Sequence, residues 1–297
     1  MSTTETPPEY RKVLVAGATG MLGREVVALA RSHGAEVRAL ARDGGRAKSL
    51  GLTDVRLGDA RKRDALNGVC DGVDAVFSSL GASVALKYSA GYRGYRAVDI
   101  PANLNLLDEA QKAGVKRFVY VSAYVIPETV GITYFAAHEA VAREVLARPG
   151  GHVLRPTAFF SALRPYLMMG KKGRVPLFGD GSARSNPVHD TDLAEIGART
   201  LVFGGPAEQD IGGPDVLTRE AIAGLALEAW GKPPRFRRVP PWLARSGAFM
   251  LTPFSPRLAQ LVRFATEVSI IDLIAPQVGK RRLGDWFRDE ARAAAAT

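Results

Sequence analysis

Residues 13–24 read Val13-Leu14-Val15-Ala16-Gly17-Ala18-Thr19-Gly20-Met21-Leu22-Gly23-Arg24: an apolar run, a glycine-rich turn and the opening of a helix-period stretch. A glycine turn that leaves a buried strand and enters a helix can bring backbone N–H groups and the helix N-terminus up to a pyrophosphate. In this reading Gly17 allows the tight turn, Gly20 the close backbone approach, and Gly23 the packing of helix on strand. Thr19, Met21, Leu22 and Arg24 complete the expected contact set. The spacing is G-x-x-G-x-x-G.

Beyond the turn, the first 157 residues alternate short apolar runs with longer helix-period stretches, the sequence form of repeated βα units around a parallel sheet. Strands are predicted over 12–16, 35–41, 54–57, 74–80, 117–122 and 152–154. Helices are predicted over 21–33, 100–113 and 134–147, stopped by Gly34, Gly114 and Pro149-Gly150-Gly151. The order lacks hairpin signals, which predicts an α/β fold with a doubly wound parallel sheet over residues 10–157 and a later return near 185–204. From 158 to 297 Pro, Gly and aromatic residues become more frequent, and a smaller, mostly helical substrate or partner lobe is predicted over the carboxyl ends of the strands. In that lobe Asp192-Leu193-Ala194-Glu195 has capping-box spacing for a helix to about Leu201. Thr218 is placed to cap a helix through Trp230, and residues 291–297 form a low-complexity tail expected to fray.

The glycine spacing resembles that of the short-chain dehydrogenase/reductase superfamily in its extended and atypical branches, including NmrA-like, isoflavone-reductase-like and complex I accessory subunit-like proteins. Other segments agree with the resemblance in order. Gly58-Asp59-Ala60 is similar to the adenine-binding segment that ends the third strand, and Phe77-Ser78-Ser79-Leu80-Gly81 to the stretch that passes the adenosine ribose. Residues 114–122 are similar to the fifth-strand signature, Arg155-Pro156-Thr157 to the turn near the nicotinamide, and residues 186–194 to the motif that packs the two lobes. Residues 210–220 also look like atypical members. The resemblance covers nearly the whole chain, and it implies a Rossmann-type fold, a bound nicotinamide dinucleotide and hydride transfer.

An NAD site usually ends its second strand with a carboxylate for the ribose 2′-OH. Here that strand ends Leu40-Ala41-Arg42, with Asp43 one residue late. A guanidinium suits a 2′-phosphate, so Arg42 and Arg24 point to NADP(H) over NAD(H). The resemblance places Tyr134-Phe135-Ala136-Ala137-His138 where the superfamily carries Tyr-x-x-x-Lys. It implies Tyr134 as the proton donor and His138 as a shorter, mostly neutral replacement for the lysine that lowers the phenol pKa and holds the ribose. The serine expected after the fifth strand falls on Ser122 or, one place later, on Ala123, with Tyr124 as a substitute. Pro127 and Gly131 predict a loop shaping the pocket. An oxidoreductase acting on a small carbonyl or enone is the leading expectation. The alternative is a cofactor-binding sensor or assembly factor that works through protein partners.

The chain has 297 residues, 40 Lys+Arg against 30 Asp+Glu, a formal charge of +10 and a hydrophobic fraction of 46 %. These values exclude disorder over most of the length. Cys70 is alone, which excludes an intramolecular disulfide and a cysteine-built metal site, and it reads as a small buried apolar residue. Residues 1–10 hold Glu5 and Glu9 and no apolar core, and no apolar run reaches the roughly 18 residues of a membrane span. Neither a targeting peptide nor a transmembrane segment is expected, and the expected location is cytoplasmic. Lys171-Lys172, Arg235-Arg237-Arg238 and Lys280-Arg281-Arg282 read as solvated clusters. No stacking-aromatic motif accompanies them, so no nucleic-acid partner is expected. His189, Asp190 and Asp192 suggest helix capping, not a metal; His33 and His152 read as structural. Trp242, Phe249, Met250 and Phe254 read as core packing, with a membrane-surface or partner face as the alternative.

Overall fold

The strand that precedes the glycine turn, β1 (Lys12–Ala16), is buried from Val13 to Ala16, as a parallel strand covered by helices on both faces must be. A computed structural model gives the architecture around it and describes residues 10–48, 50–81 and 94–296. The amino-terminal reading over residues 1–9, and Thr297, lie outside the described residues.

From β1 the chain enters α1 (Met21–Ser32), returns as β2 (Glu36–Ala41), forms the short α2 (Gly44–Lys48) and reaches β3 (Val55–Leu57). It continues through β4 (Ala75–Ser78), α3 (Tyr95–Lys112), β5 (Arg117–Val121), α4 (Thr133–Leu146) and β6 (Gly151–Pro156). Then come α5 (Arg164–Lys171), β7 (Val175–Phe178), β8 (Arg184–Ser185), α6 (Asp190–Phe203) and β9 (Glu208–Ile211). The chain ends with β10 (Leu217–Thr218), α7 (Arg219–Glu228), β11 (Phe236–Val239), α8 (Pro241–Leu251), α9 (Pro256–Ser269) and α10 (Leu283–Ala295).

Seven strands form one parallel sheet in the order β3-β2-β1-β4-β5-β6-β9, with the order reversing between β1 and β4. This is the expected doubly wound, Rossmann-type sheet. Alternate residues of each strand feed two cores: Val13, Val15 and Phe77 pack against α1 and α6, while Leu14, Val76 and Tyr120 pack against α3 and α4. Cys70 is fully buried in the second core, and burial pushes its thiol up to about 12. The C-terminal residues build a third core from Phe160, Leu167, Ile222 and Phe287. The lobe is mostly helical, with two small two-stranded sheets, β8 with β10 and β7 with β11, added to its helices.

Several boundaries differ from expectation. The sheet gains a seventh strand, β9, whose sequence Glu208-Gln209-Asp210-Ile211 carries only one apolar residue because it forms the exposed edge beside β6. Helix α3 begins at Tyr95 instead of Ile100, accommodating Pro101 near its start. Helix α6 is capped by His189, whose Nδ1 accepts from the Thr191 N–H at 3.0 Å. Asp190 and Asp192 do not cap it. Asp190 accepts from the Ser161 N–H and hydroxyl, while Asp192 accepts from the backbone of Lys280 and Arg281 and from the Arg281 side chain. Residues 291–295 belong to α10, with Ala291 buried, where a low-complexity tail was expected. Arg281 and Arg282 are ion-paired to Asp192 and Asp215, so that basic cluster is less free than expected. Trp242, Phe249, Met250 and Phe254 are 66–86 % exposed, which overturns the core-packing reading.

Candidate active site

The parallel sheet sends the chain out of every strand at one edge, so the segments after β1 through β6 converge there. Gly17, directly after β1, has φ +87°, and a Cβ on it would lie 2.7 Å from the Ser79 Oγ after β4. A Cβ on Gly23 would stand 2.1 Å from the Gly17 carbonyl oxygen, so α1 approaches the turn only because both positions lack side chains. The Gly20 N–H closes the turn on the Gly17 carbonyl at 2.9 Å. Gly20 caps α1 without a side-chain acceptor, and no acid stands in the first turn. The first N–H groups of α1 thus lack an acidic or capping side chain, while Met21 above them is 61 % exposed and Leu22 packs below. This donor set fits a pyrophosphate.

The neighbouring charges also fit. Arg24 is exposed and donates from Nε to the Thr19 carbonyl at 3.2 Å, and Arg42 is exposed after β2. Asp43, the acid one residue late, accepts from the N–H groups of Gly45 and Arg46 at the start of α2. Its Oδ1 is therefore engaged in capping α2. Asp59 is held bidentately by Arg61, with Arg61 Nη2 to Oδ2 at 2.6 Å. That bond, aided by backbone donation and the Arg42 charge, keeps the carboxyl below its ordinary value. Ala60 is buried, and its carbonyl accepts from the Asn105 side chain.

After β4, Ser78 donates to Asn103 Oδ1 at 2.6 Å, and Asn103 Nδ2 donates to the carbonyls of Leu80 and Asp99. This ties the Leu80-Gly81 segment to α3. A Cβ on Gly81 would lie 4.0 Å from Asp99 Oδ1, which places that carboxylate beside the turn. Asp99 is fully buried, and its Oδ2 faces His138 Nε2 at 3.9 Å. His138 Nδ1 meets the Tyr120 hydroxyl at 2.7 Å. Because a carboxylate only accepts, the neutral ring carries its proton on Nε2 toward Asp99, and Nδ1 accepts from Tyr120. Burial pushes the His138 imidazole down to about 4.

Tyr134 lies one turn before His138 on α4, with ring centroids 4.5 Å apart. Tyr95 of α3 and Phe264 of α9 hold its other sides, at 5.1 and 4.9 Å. Burial, and secondarily the Asp99 charge, hold its phenol well above the ordinary value. Ser122 is buried after β5, with its Oγ 3.5 Å from the His138 carbonyl, and Ala123 is buried beside it. Tyr124 is half-buried, its N–H donating to the Pro156 carbonyl at the end of β6. The loop before α4 holds a short helical turn at Pro127–Thr129, closed by the Thr129 hydroxyl, with Gly131 exposed after it.

Four contributors were missed from sequence: Tyr95, Asp99, Tyr120 and Phe264. Asp99 stood just outside the expected helix, and Tyr120 read as one apolar member of a buried strand. Phe264 comes from a lobe helix about 130 residues along the chain, and nothing local marks it. Among the described residues no cluster of His, Cys, Asp and Glu is arranged to hold a metal.

Residues 17–149 match the NAD(P)H-binding family. The divinyl chlorophyllide a 8-vinyl-reductase of Arabidopsis thaliana is 28 % identical over 272 residues, 81 % of this chain and 64 % of that protein. The chain spans only 60–64 % of the length of the plant reductases it matches in this way. The photosystem II assembly factor Ycf39 of Synechocystis is 36 % identical over 114 residues, 37 % of this chain and 33 % of that protein. Among solved structures, a Citrobacter triphenylmethane reductase complexed with NADP(H) superposes with a TM-score of 0.70 at 20 % identity, covering 94 % of this chain and 99 % of that one. Fold, glycine turn and family match agree: the chain has a Rossmann-type fold, with an NAD(P)H-binding segment over residues 17–149.

Proposed function

We propose that the protein is a cytoplasmic NADPH-dependent reductase of a small carbonyl or enone, with Tyr134 as proton donor and residues 158–297 shaping the substrate side. The observation that carries this reading is the placement of Tyr134 at the carboxyl edge of the sheet, linked through His138 and Asp99 to the Gly81 turn. Bound along the glycine turn, the dinucleotide would supply the hydride. Gly17, Gly20 and Gly23 make room for its phosphates, the N-terminus of α1 faces them, and Arg24 and Arg42 suit a 2′-phosphate. Arg42, standing where an NAD site usually ends its second strand with a carboxylate, supports NADPH over NADH.

Proton transfer follows from the site's charge. A phenol held above its ordinary value stays protonated, so Oη is in the form that can donate as hydride arrives, and the phenolate formed then takes a proton back from solvent. The neutral His138 adds no cation to stabilise that phenolate, which makes Tyr134 a weaker acid than a phenol beside a lysine. The test is NADPH consumption against a panel of carbonyls and enones, with a thermal-shift comparison of NADPH and NADH. Turnover with NADPH, lost in Tyr134→Phe while the NADPH shift persists, is the expected result. Unchanged turnover in that variant removes Tyr134 from the chemistry.

A second reading rests on the same departure. With His138 neutral and its Nδ1 engaged by Tyr120, the fold supports a cofactor-binding assembly factor that acts through a protein partner, as the kinship to Ycf39 suggests. NADPH binding without turnover, together with recovery of a partner, would favour it over the reductase.

A further inference from the structure

Helix α8 presents an apolar face to solvent. Ala244 and Ala248 are buried against α9, while Trp242, Leu243, Phe249 and Met250 point away and are 49–72 % exposed. At ~100° per residue these four side chains occupy an arc of about 120° on the outer face, interrupted only by Ser246. Phe254, just past the helix, is 86 % exposed and extends the face. The other exposed large apolar residues of the lobe, Met168, Val216, Leu258, Ile270 and Val278, are only 36–40 % exposed and are scattered, so the concentration is greatest at the α8 end of the lobe.

The charges left without an ion pair in and around α8 have one sign. Between Glu228 and Glu267 the sequence holds no acidic residue and seven cations. Arg245 is satisfied by Glu267 and Arg238 by Glu220, and Arg257 is buried. Lys232, Arg235, Arg237 and Arg263 are exposed and make no ion pair among the described residues. Two copies meeting through this face would bring like charges together, which disfavours self-association. A convex helix carrying Trp, Phe, Leu and Met with cations beside it matches a surface that is apolar below and anionic above. No helix among the described residues is long and apolar enough to cross a membrane, so contact would be in the plane of the interface.

We propose that α8 and the segment to Phe254 dock on an anionic lipid bilayer, inserting Trp242, Leu243, Phe249, Met250 and Phe254 into the interface while Lys232, Arg235, Arg237 and Arg263 meet headgroup phosphates. The partner helix α9 places Phe264 against Tyr134, so docking brings the roof of the candidate site to the membrane surface. The docking itself does not depend on whether the site is a reductase.

The test is co-sedimentation of the full chain with vesicles of phosphatidylcholine alone and of phosphatidylcholine with phosphatidylglycerol, at low and high salt. Binding at least ~10-fold stronger to the anionic vesicles, weakened by salt, is expected. Trp242 emission should shift to the blue on binding, a signal removed by Trp242→Phe. The pair Phe249→Ser and Phe254→Ser should lose at least ~10-fold in partition with an unchanged melting temperature, because both side chains already face water. Equal, weak binding to both vesicle types overturns the proposal. So does a dimer in solution that the Phe249 and Phe254 changes dissociate, or a protein partner lost in those variants while vesicles are not bound by the parent.

Discussion

The sharpest quantitative consequence of the site is a loss of stability in acid that His138 alone should cause. Its imidazole is buried and lowered from 6.5 to about 4. Above pH 6.5 the ring is neutral in both folded and unfolded chains, and the stabilisation is fully present. As the pH falls from 6.5 to 4 the unfolded chain takes up a proton that the fold refuses, and stability falls by about 1.4 kcal/mol per pH unit, roughly 3 kcal/mol over the window. Below pH 4 both states are protonated and the loss is complete. His138→Gln supplies the comparison, since an amide oxygen can still accept from Tyr120 and the amide nitrogen still face Asp99 without titrating. Urea unfolding of both proteins from pH 7.5 to 4 should show the parent losing about 3 kcal/mol more than the variant. The lowered carboxyls of Asp54, Asp59 and Asp192 act equally in both proteins and cancel. A difference that does not vary with pH refutes the buried neutral imidazole. A difference of opposite sign means that the Asp99 carboxylate, 3.9 Å away, holds His138 as a cation, and the reading of a cation-free site around Tyr134 loses its basis.

Three other outcomes follow from the geometry. Gly23→Ala should cost about 3 kcal/mol or more, because its Cβ meets backbone at 2.1–2.9 Å, lowering the melting temperature by roughly 6–12 °C and abolishing the NADPH shift; Gly20→Ala, with one contact at 3.2 Å, should be far milder. Arg42→Ala should weaken NADPH about 10- to 100-fold in a binding titration and leave NADH within a few-fold, so equal losses would remove Arg42 from the 2′-phosphate. Asn186→Ala should cost about 3 kcal/mol in urea unfolding, since a fully buried amide donates to Gly213 and Ala275 carbonyls and accepts the Ala275 N–H.

The nucleotide half was legible because each of its signals has a local cause. Buried parallel strands must be apolar on both faces, and a helix that starts directly against a strand end needs glycines where side chains would collide. The seventh strand was illegible for the opposite reason: Glu208–Ile211 lies at an edge and pairs through its backbone beside β6, so the pattern of its side chains says little. The start of α3 was misplaced because Pro101 reads as a first-turn residue, and that error of about five residues hid both Tyr95 and Asp99. Asp190 and Asp192 had the residue type and spacing of caps, and only the fold could show them anchoring Ser161 and the segment at Lys280. The exposed face of α8 was misread because an apolar helix looks the same in sequence whether protein or lipid is to cover it.

The replacement at position 138 ties these strands of evidence to chemistry. A lysine there would place an ammonium between the Asp99 carboxylate and the Tyr134 ring, stabilising a phenolate. At ~6 Å and an effective dielectric near 20, that attraction is about 3 kcal/mol, or roughly two pKa units. The histidine keeps the packing and a hydrogen bond to Tyr120 but gives up the charge, leaving Asp99 as the nearest ionisable influence on the phenol, and of the opposite sign. A site built this way keeps a protonated tyrosine at every physiological pH. Tyr134 is therefore always in the form that gives a proton to the product of hydride delivery, but it is a weaker acid than a phenol beside a lysine, because the phenolate left behind has no cation to stabilise it.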